Sequence, residues 1–265
     1  MNISEIHSIK VIEKQIYTGE QPVMVICSDM ETYICKYMRS TASAYKLACE
    51  YIGAFMAKAW QLPTPDTALV KIKQEHWHGI HTGHCITAPA WGSKQLKDVC
   101  DITPSTYQNV KTTVSTLSEL MLIALFDFWI ANEDRNANNA NLLYNIVKEE
   151  LVSIDYGCIF NTASFDYGMS QLTMTDTILY SDLFHHLVND KKQTTIDGIV
   201  EKLRKKYKES IKRSKQAKSE LMKRFPKEWN VPTESVESKL HQLFQEEWIN
   251  ETWDNFEDCL KDNIK

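Results

Sequence analysis

Glycine is scarce in this chain, eight in 265 residues, and none of the eight belongs to a G-x-G-x-x-G or G-x-x-x-x-G-K-S/T arrangement. A glycine-rich nucleotide fingerprint and a P-loop are both excluded. Proline is as sparse at seven, and no repeat or low-complexity linker divides the chain. No run approaches the roughly 18 apolar residues of a membrane span, and no basic-then-apolar segment opens the sequence. The expectation is a cytoplasmic protein that does not engage a membrane. Positive charge is not in excess either: the net charge of -5 gives no basic face for nucleic acid. The one basic run, 202–223, interleaves Glu201, Glu209 and Glu220 at helical spacing, as a solvated face does. Seven cysteines, odd in number and never spaced C-x-x-C, suit reduced thiols better than a disulfide framework or a zinc ribbon.

What is present is an ordinary globular composition, 43% hydrophobic and 25% charged, long enough for one large domain or two small lobes. Short β-rich runs at 23–27 and 32–37, separated by turn residues, predict an antiparallel meander. Residues 42–60 switch to helical period and stop before Leu62-Pro63-Thr64-Pro65. Two further strands are expected at 67–73 and 83–91, joined by a loop holding His76, His78, His81 and His84. Those histidines lack a cysteine pair or a helical i, i+4 face, so a connector is expected rather than a metal site. From 105 to 132 an apolar stripe widens until the helix is apolar nearly all round, which predicts a core helix. Helices are expected at 176–189, 195–224 and 235–260.

The core helix runs into the most polar stretch of the chain, Asn132-Glu133-Asp134-Arg135-Asn136-Ala137-Asn138-Asn139-Ala140-Asn141. Two apolar runs follow, Leu142-Leu143-Tyr144 and Leu151-Val152-Ser153-Ile154, and the second ends in Asp155-Tyr156-Gly157. An exposed Asn-rich turn would account for the polar stretch alone, but not for its place between a core helix and an apolar hairpin with a second aspartate behind it. Phosphoryl transfer needs a carboxylate near the acceptor hydroxyl, oxygen ligands for Mg²⁺ and a cation on the phosphates. Asp134, Asn139 and Asp155 supply the first two, since Mg²⁺ takes only one or two protein ligands.

Asp134-Arg135-Asn136-x-x-Asn139 followed by Ile154-Asp155-Tyr156-Gly157 resembles the catalytic loop and metal-binding aspartate of HipA-like kinases, and more distantly those of phosphatidylinositol 3/4-kinases. Asn136 stands where those families usually have histidine. The resemblance extends upstream to Lys36 in a strand, Glu50 in the next helix and the turn Gln61-Leu62-Pro63-Thr64-Pro65, so it covers about residues 10–160. It implies an α+β, two-lobed protein-kinase-like fold: an antiparallel β lobe with one helix over 1–91 and a mostly helical lobe over 92–265. It further implies ATP and Mg²⁺ as cofactors, with Asp134 and Arg135 catalytic, Arg135 holding either the loop or the phosphates, and Asn139 and Asp155 on the metal. Lys36, Glu50, Gly19, Gln21, Pro89 and Trp91 would surround the nucleotide, Gly19 and Gln21 from a phosphate-covering loop and Pro89 and Trp91 from the strand entering the hinge. A protein serine or threonine is the acceptor the resemblance implies, with an antitoxin as a possible partner. A lipid or small-molecule kinase and a pseudokinase serving as a binding module are the alternatives. Loss of Lys36, Asp134 or Asp155 would favour the last, and all three are present.

Overall fold

The computed structural model describes residues 4–77, 80 and 86–264. Six strands, β1 (Ser4–His7), β2 (Lys14–Gln15), β3 (Val23–Ile26), β4 (Thr32–Lys36), β5 (Thr67–Lys71) and β6 (Ala90–Lys94), form one sheet in the order β1-β5-β6-β4-β3-β2. Alternation in β3 and β4 turns Val23, Val25, Tyr33 and Cys35 into one buried face, as the two-residue side-chain period requires. The sheet is mixed rather than antiparallel throughout, because β1 pairs with β5 in parallel. The strand expected at 83–91 begins later, at Ala90, and continues through Gly92 to Lys94. Residues 81–85 lie outside the described residues, as do His78, His81 and His84 of the expected connector. His76 is buried, its Nδ1 2.7 Å from the Ser8 hydroxyl.

Helix α1 (Thr41–Ala59) starts at Ser40, whose side chain accepts from the Ser43 N–H while Ser43 returns the bond, a reciprocal cap on the exposed first turn. It ends where Gln61 takes a left-handed φ of 60° and Leu62 N–H donates to the Ala57 carbonyl. The turn that follows is tied down by the Ser153 N–H, which donates to the Pro63 carbonyl at 2.8 Å. Helix α2 (Val114–Ile130) begins at the Thr113 cap, later than its apolar pattern suggests, because 103–110 is held in turns by the hydroxyls of Thr103 and Thr106. A small sheet of β7 (Val99–Asp101), β8 (Leu142–Asn145) and β9 (Glu150–Ser153) follows α2's end, β8 and β9 forming the apolar hairpin.

The remaining elements are α3 (Ile159–Ala163), α4 (Asp182–Val188), α5 (Gln193–Lys223), α6 (Thr233–Gln242) and α7 (Glu246–Asn263). The helix expected over 235–260 is two, since the chain breaks at Leu243, where its carbonyl accepts the Trp129 indole N–H at 2.9 Å. A mixed sheet lobe and a helical lobe therefore stand side by side, and the division expected after Trp91 falls inside β6. Among the described residues no helix is long and apolar enough to cross a membrane. Six cysteines, Cys27, Cys35, Cys49, Cys100, Cys158 and Cys259, are free thiols, and Cys85 lies outside the described residues.

Helix α1 is the joint between the lobes. Its Leu47, Tyr51 and Phe55, with Trp60 just past its end, belong to the same apolar core as Phe126, Trp129, Tyr207 and Trp229 of the helical lobe, whereas one face of the sheet has a core of its own. Gly53 lets α1 approach the backbone behind the hairpin: a Cβ there would lie 2.3 Å from the Tyr156 Cβ. Gly53→Ala is expected to destabilise the protein by about 1–3 kcal/mol through overpacking, read as a lowered urea midpoint. A wild-type midpoint would show that α1 and Tyr156 can part without cost.

Candidate active site

Period-two alternation places Ile34 and Lys36 on the face of β4 opposite Tyr33 and Cys35, so both side chains look onto a cleft beneath the sheet. That cleft encloses about 340 Å³. Across it α1 presents Glu50, a buried acid in an otherwise apolar stretch. Lys36 Nζ donates to Glu50 Oε1 at 2.5 Å and to Asp155 Oδ1 at 2.7 Å. One ammonium thus joins the sheet, the joint helix and the segment after β9. The second Glu50 oxygen accepts the Tyr156 N–H at 3.1 Å, and the Gly157 N–H donates to Asp155 Oδ1 at 3.3 Å. Gly157 is needed here for closeness, because a Cβ would come within 3.2 Å of Glu50 Oε1.

Burial acts differently on the three charges. It works against the Lys36 ammonium, but Glu50 and Asp155 outweigh it and raise the lysine pKa. Burial pushes the Glu50 carboxyl up to about 7 against the pull of Lys36. It also pushes Asp155 up, but Lys36 prevails and holds that carboxyl down to about 2.

Asp134 lies in a smaller recess continuous in its residues with the cleft, shared with Lys36, Asp155, Gly157 and Cys158. Its Oδ2 accepts from Asn141 Nδ2 at 2.9 Å. Asn141, not Asn139, is therefore the amide beside Asp134. Asn136 and Asn139 close a tight turn through reciprocal backbone bonds of 2.9 and 3.3 Å, which leaves Asn139 exposed over a separate hollow with Thr103 and Tyr107. The chain returns at Asn141 in a left-handed conformation, φ 44°. The available signal was an asparagine directly before an apolar strand, since asparagine is the residue after glycine that best accepts that conformation. Cys158 is no nucleophile in this recess, its thiol pushed up to about 11 by burial and by Asp134.

Arg135 is not aimed at the cleft. It is wholly buried, paired through Nη1 with the equally buried Asp127 of α2, and its Nη2 donates to the Ile154 carbonyl at 2.8 Å. It positions the loop instead of touching a reacting group. Asp127 also accepts from Asn132 Nδ2 at 2.8 Å. The sequence offered a signal for this pair: Asp127, a carboxylate inside the otherwise apolar second half of α2, needs a buried cation.

Of the other expected contacts, Gly19 and Trp91 line the cleft, with Trp91 buried at its back. Gln21 does not line it, but accepts from Gln15 at 3.4 Å in an adjoining hollow where Lys46 pairs with Glu20. Pro89 is also outside the cleft, its carbonyl taken by the Trp229 indole N–H at 2.8 Å. The cleft's edge beyond Trp91 is formed by Ser93, Lys94, Gln95 and Leu96, and Ile34, Leu143 and Ile154 also line it. A larger hollow of about 520 Å³ between α5 and α7 shares no residue with this site.

Non-glycine residues with left-handed backbone crowd the same region: Ala131, Asn141, Asp155 and the four consecutive residues Phe160, Asn161, Thr162 and Ala163. Each costs roughly 1–2 kcal/mol, a strain that persists only where surrounding contacts enforce it. Consequently α3 is a left-handed turn and not an ordinary helix.

The site can bind anionic oxygen through Lys36, present carboxylate oxygens from Asp155 and Asp134, and hold the latter through the Asn141 amide. A family model described as HipA-like kinase matches residues 9–258. No curated protein sequence matches the chain. Among solved structures, a proinflammatory kinase of Helicobacter pylori, CtkA, is similar over 98% of both chains with a TM-score of 0.54 and 10% identity, a likeness of fold alone. The chain belongs to the HipA-like kinase family.

Because native Glu50 holds its proton to about pH 7 where an ordinary glutamate loses it near 4.5, the native state binds more protons than the unfolded chain between those limits, and stability falls as pH rises through that window. Asp155 has the opposite sign: its depressed pKa contributes stability above about pH 4 that is lost as pH falls toward 2. Urea melts of Glu50→Gln against wild type at pH 5, 6 and 7 should show the variant gaining on wild type as pH rises. A difference independent of pH would contradict the raised Glu50 pKa.

Proposed function

We propose that this HipA-like kinase transfers the γ-phosphoryl group of ATP, as its Mg²⁺ complex, to a serine or threonine hydroxyl of a protein. The observation that carries the reading is the triad in which Lys36 bridges Glu50 and Asp155, with Asp134 in the adjoining recess. Lys36, oriented by Glu50, binds the α- and β-phosphates. Asp155 lines the recess and the Asn141 amide is bonded to Asp134 beside it, and a carboxylate with an amide oxygen is a hard ligand set of the number Mg²⁺ takes from protein. Bound there, the ion neutralises charge on the phosphates. The adenine fits between Ile34 and the pair Leu143 and Ile154, against the edge at Ser93–Leu96 that replaces the expected Pro89.

Asp134 orients the acceptor hydroxyl and takes its proton as the new O–P bond forms and the bond from the γ-phosphorus to ADP breaks. The other anchored groups hold this geometry while the charge moves. An antitoxin protein covering the cleft is the partner this reading admits, and its family resemblance is what supports it.

The test incubates purified protein with Mg²⁺ and γ-labelled ATP, alone and with a cell lysate. Wild type is expected to label itself or a lysate protein on serine or threonine. Asp134→Ala should lower transfer about 10²–10⁴-fold while still binding nucleotide, and Asp155→Asn should lose metal-dependent binding. A wild type that neither binds ATP nor transfers label ends the proposal, as does full transfer by Asp134→Ala.

A further inference from the structure

The four-residue left-handed turn lies next to the catalytic loop in space, and one side chain joins them. Glu133, the residue before Asp134, accepts from Asn161 Nδ2 at 2.8 Å through one oxygen and from the Thr162 hydroxyl at 2.7 Å through the other. The Asn161 N–H donates to the Ala131 carbonyl at 2.9 Å. The turn therefore grips the loop on both sides of Asn132, which Asp127 already holds. Asn161 is itself fixed, accepting the Ser170 N–H at 2.8 Å and donating to the Ser170 carbonyl at 3.1 Å. Phe160, fully buried, meets Phe165 edge-on and lies 6.0 Å beneath the Lys239 ammonium.

Such a turn is not an intrinsic preference of Phe-Asn-Thr-Ala. A left-handed run of residues bearing Cβ atoms is unfavourable at every position, so external contacts must enforce it. Glu133 supplies two of those contacts with one carboxylate, and a carboxylate accepting from two donors is the stronger kind of hydrogen-bond partner.

We propose that Glu133 is a positioning residue of the transfer reaction: by clamping Asn161 and Thr162 in the left-handed turn, it fixes the backbone from which Asp134 presents its carboxylate to the acceptor. Asp134 then stands between two anchored neighbours, Glu133 on the turn and Arg135 on Asp127 and Ile154. The inference rests on the reading of Asp134 as the group that takes the acceptor proton. It gives the turn a function, which is to store conformational strain that holds the loop in one register.

Three variants test it in the full chain with Mg²⁺ and ATP, using the acceptor that wild type labels. Glu133→Ala should lower kcat roughly 10–100-fold, the scale of a small misplacement of a reacting group, with KM for ATP within about twofold because the Lys36 triad is untouched. Glu133→Gln should stay within about threefold of wild type, since its amide oxygen can accept from Asn161 and its NH₂ can donate to the Thr162 oxygen. Ala163→Gly relieves a left-handed position at no steric cost, so adding it to Glu133→Ala should recover at least fivefold in kcat and part of the lost Tm. A Glu133→Ala protein with lowered Tm but wild-type kcat overturns the inference, as does a double variant with no recovery. Asp134→Ala run in parallel separates the two failures. If wild type transfers nothing, or Asp134→Ala transfers fully, the kinase reading falls and the inference about Asp134 falls with it; the clamp is then judged by melting alone, and absence of Tm recovery in the double variant removes that too.

Discussion

The ion pair between Arg135 and Asp127 is the constraint from which the rest of the site takes its shape. Both groups are out of water, and each alone would be a severe penalty: breaking such a pair costs about 3–5 kcal/mol because a buried charge is left without a partner. Together they are accommodated by bonds that run outward in three directions. Asp127 reaches Asn132 at the end of α2, while Arg135 reaches the Ile154 carbonyl at the end of the hairpin and lies 5.4 Å from the Tyr156 ring. The loop that carries Asp134 and the segment that carries Asp155 and Tyr156, the tyrosine packed on Gly53, are thereby referred to one buried point. Replacing the pair with apolar side chains could preserve stability, but it would remove the hydrogen bonds that define where the loop and the hairpin end relative to each other.

A second level of organisation comes from the sharing of α1. Its apolar side chains pack into the helical lobe, its Gly53 touches Tyr156, and its single buried acid reaches across to the sheet through Lys36. The Pro89 carbonyl, bonded to Trp229, adds a link from the strand that enters the cleft's edge to the far helices. The cleft is consequently walled by groups whose supports lie elsewhere, the arrangement that keeps polar groups pre-oriented at low reorganisation cost.

Much of this was legible in the sequence, and the failures share a cause. Alternation in 23–26 and 32–36, the helical period of 41–59 and the apolar width of α2 are local patterns, and each produced the element it suggests. The aspartates at 134 and 155 were legible because they interrupt apolar structure at its ends. Asn139, expected on the metal, lies away from the cleft because spacing along the chain does not report a turn: reciprocal bonds between Asn136 and Asn139 take two residues out of the path and bring Asn141 beside Asp134. Arg135, which the resemblance made a holder of the loop or of the phosphates, holds the loop, and its partner is Asp127 in the otherwise apolar second half of α2. The parallel β1–β5 pairing and the Leu243 break have no local signature, since their partners lie far away in sequence. Nor does any residue in 160–163 announce a left-handed backbone.

The way α1 is shared also bears on how the cleft can open. The Glu50 carboxylate travels with the helical lobe and the Lys36 ammonium with the sheet, and the 2.5 Å bond between them spans the joint. Swinging the sheet away from α1 would strand a buried acid whose remaining donor is the Tyr156 N–H. Movement of the sheet against the helical lobe would thus have to break the Lys36–Glu50 bond, which ties the relation of the two lobes to the charge of one buried carboxyl.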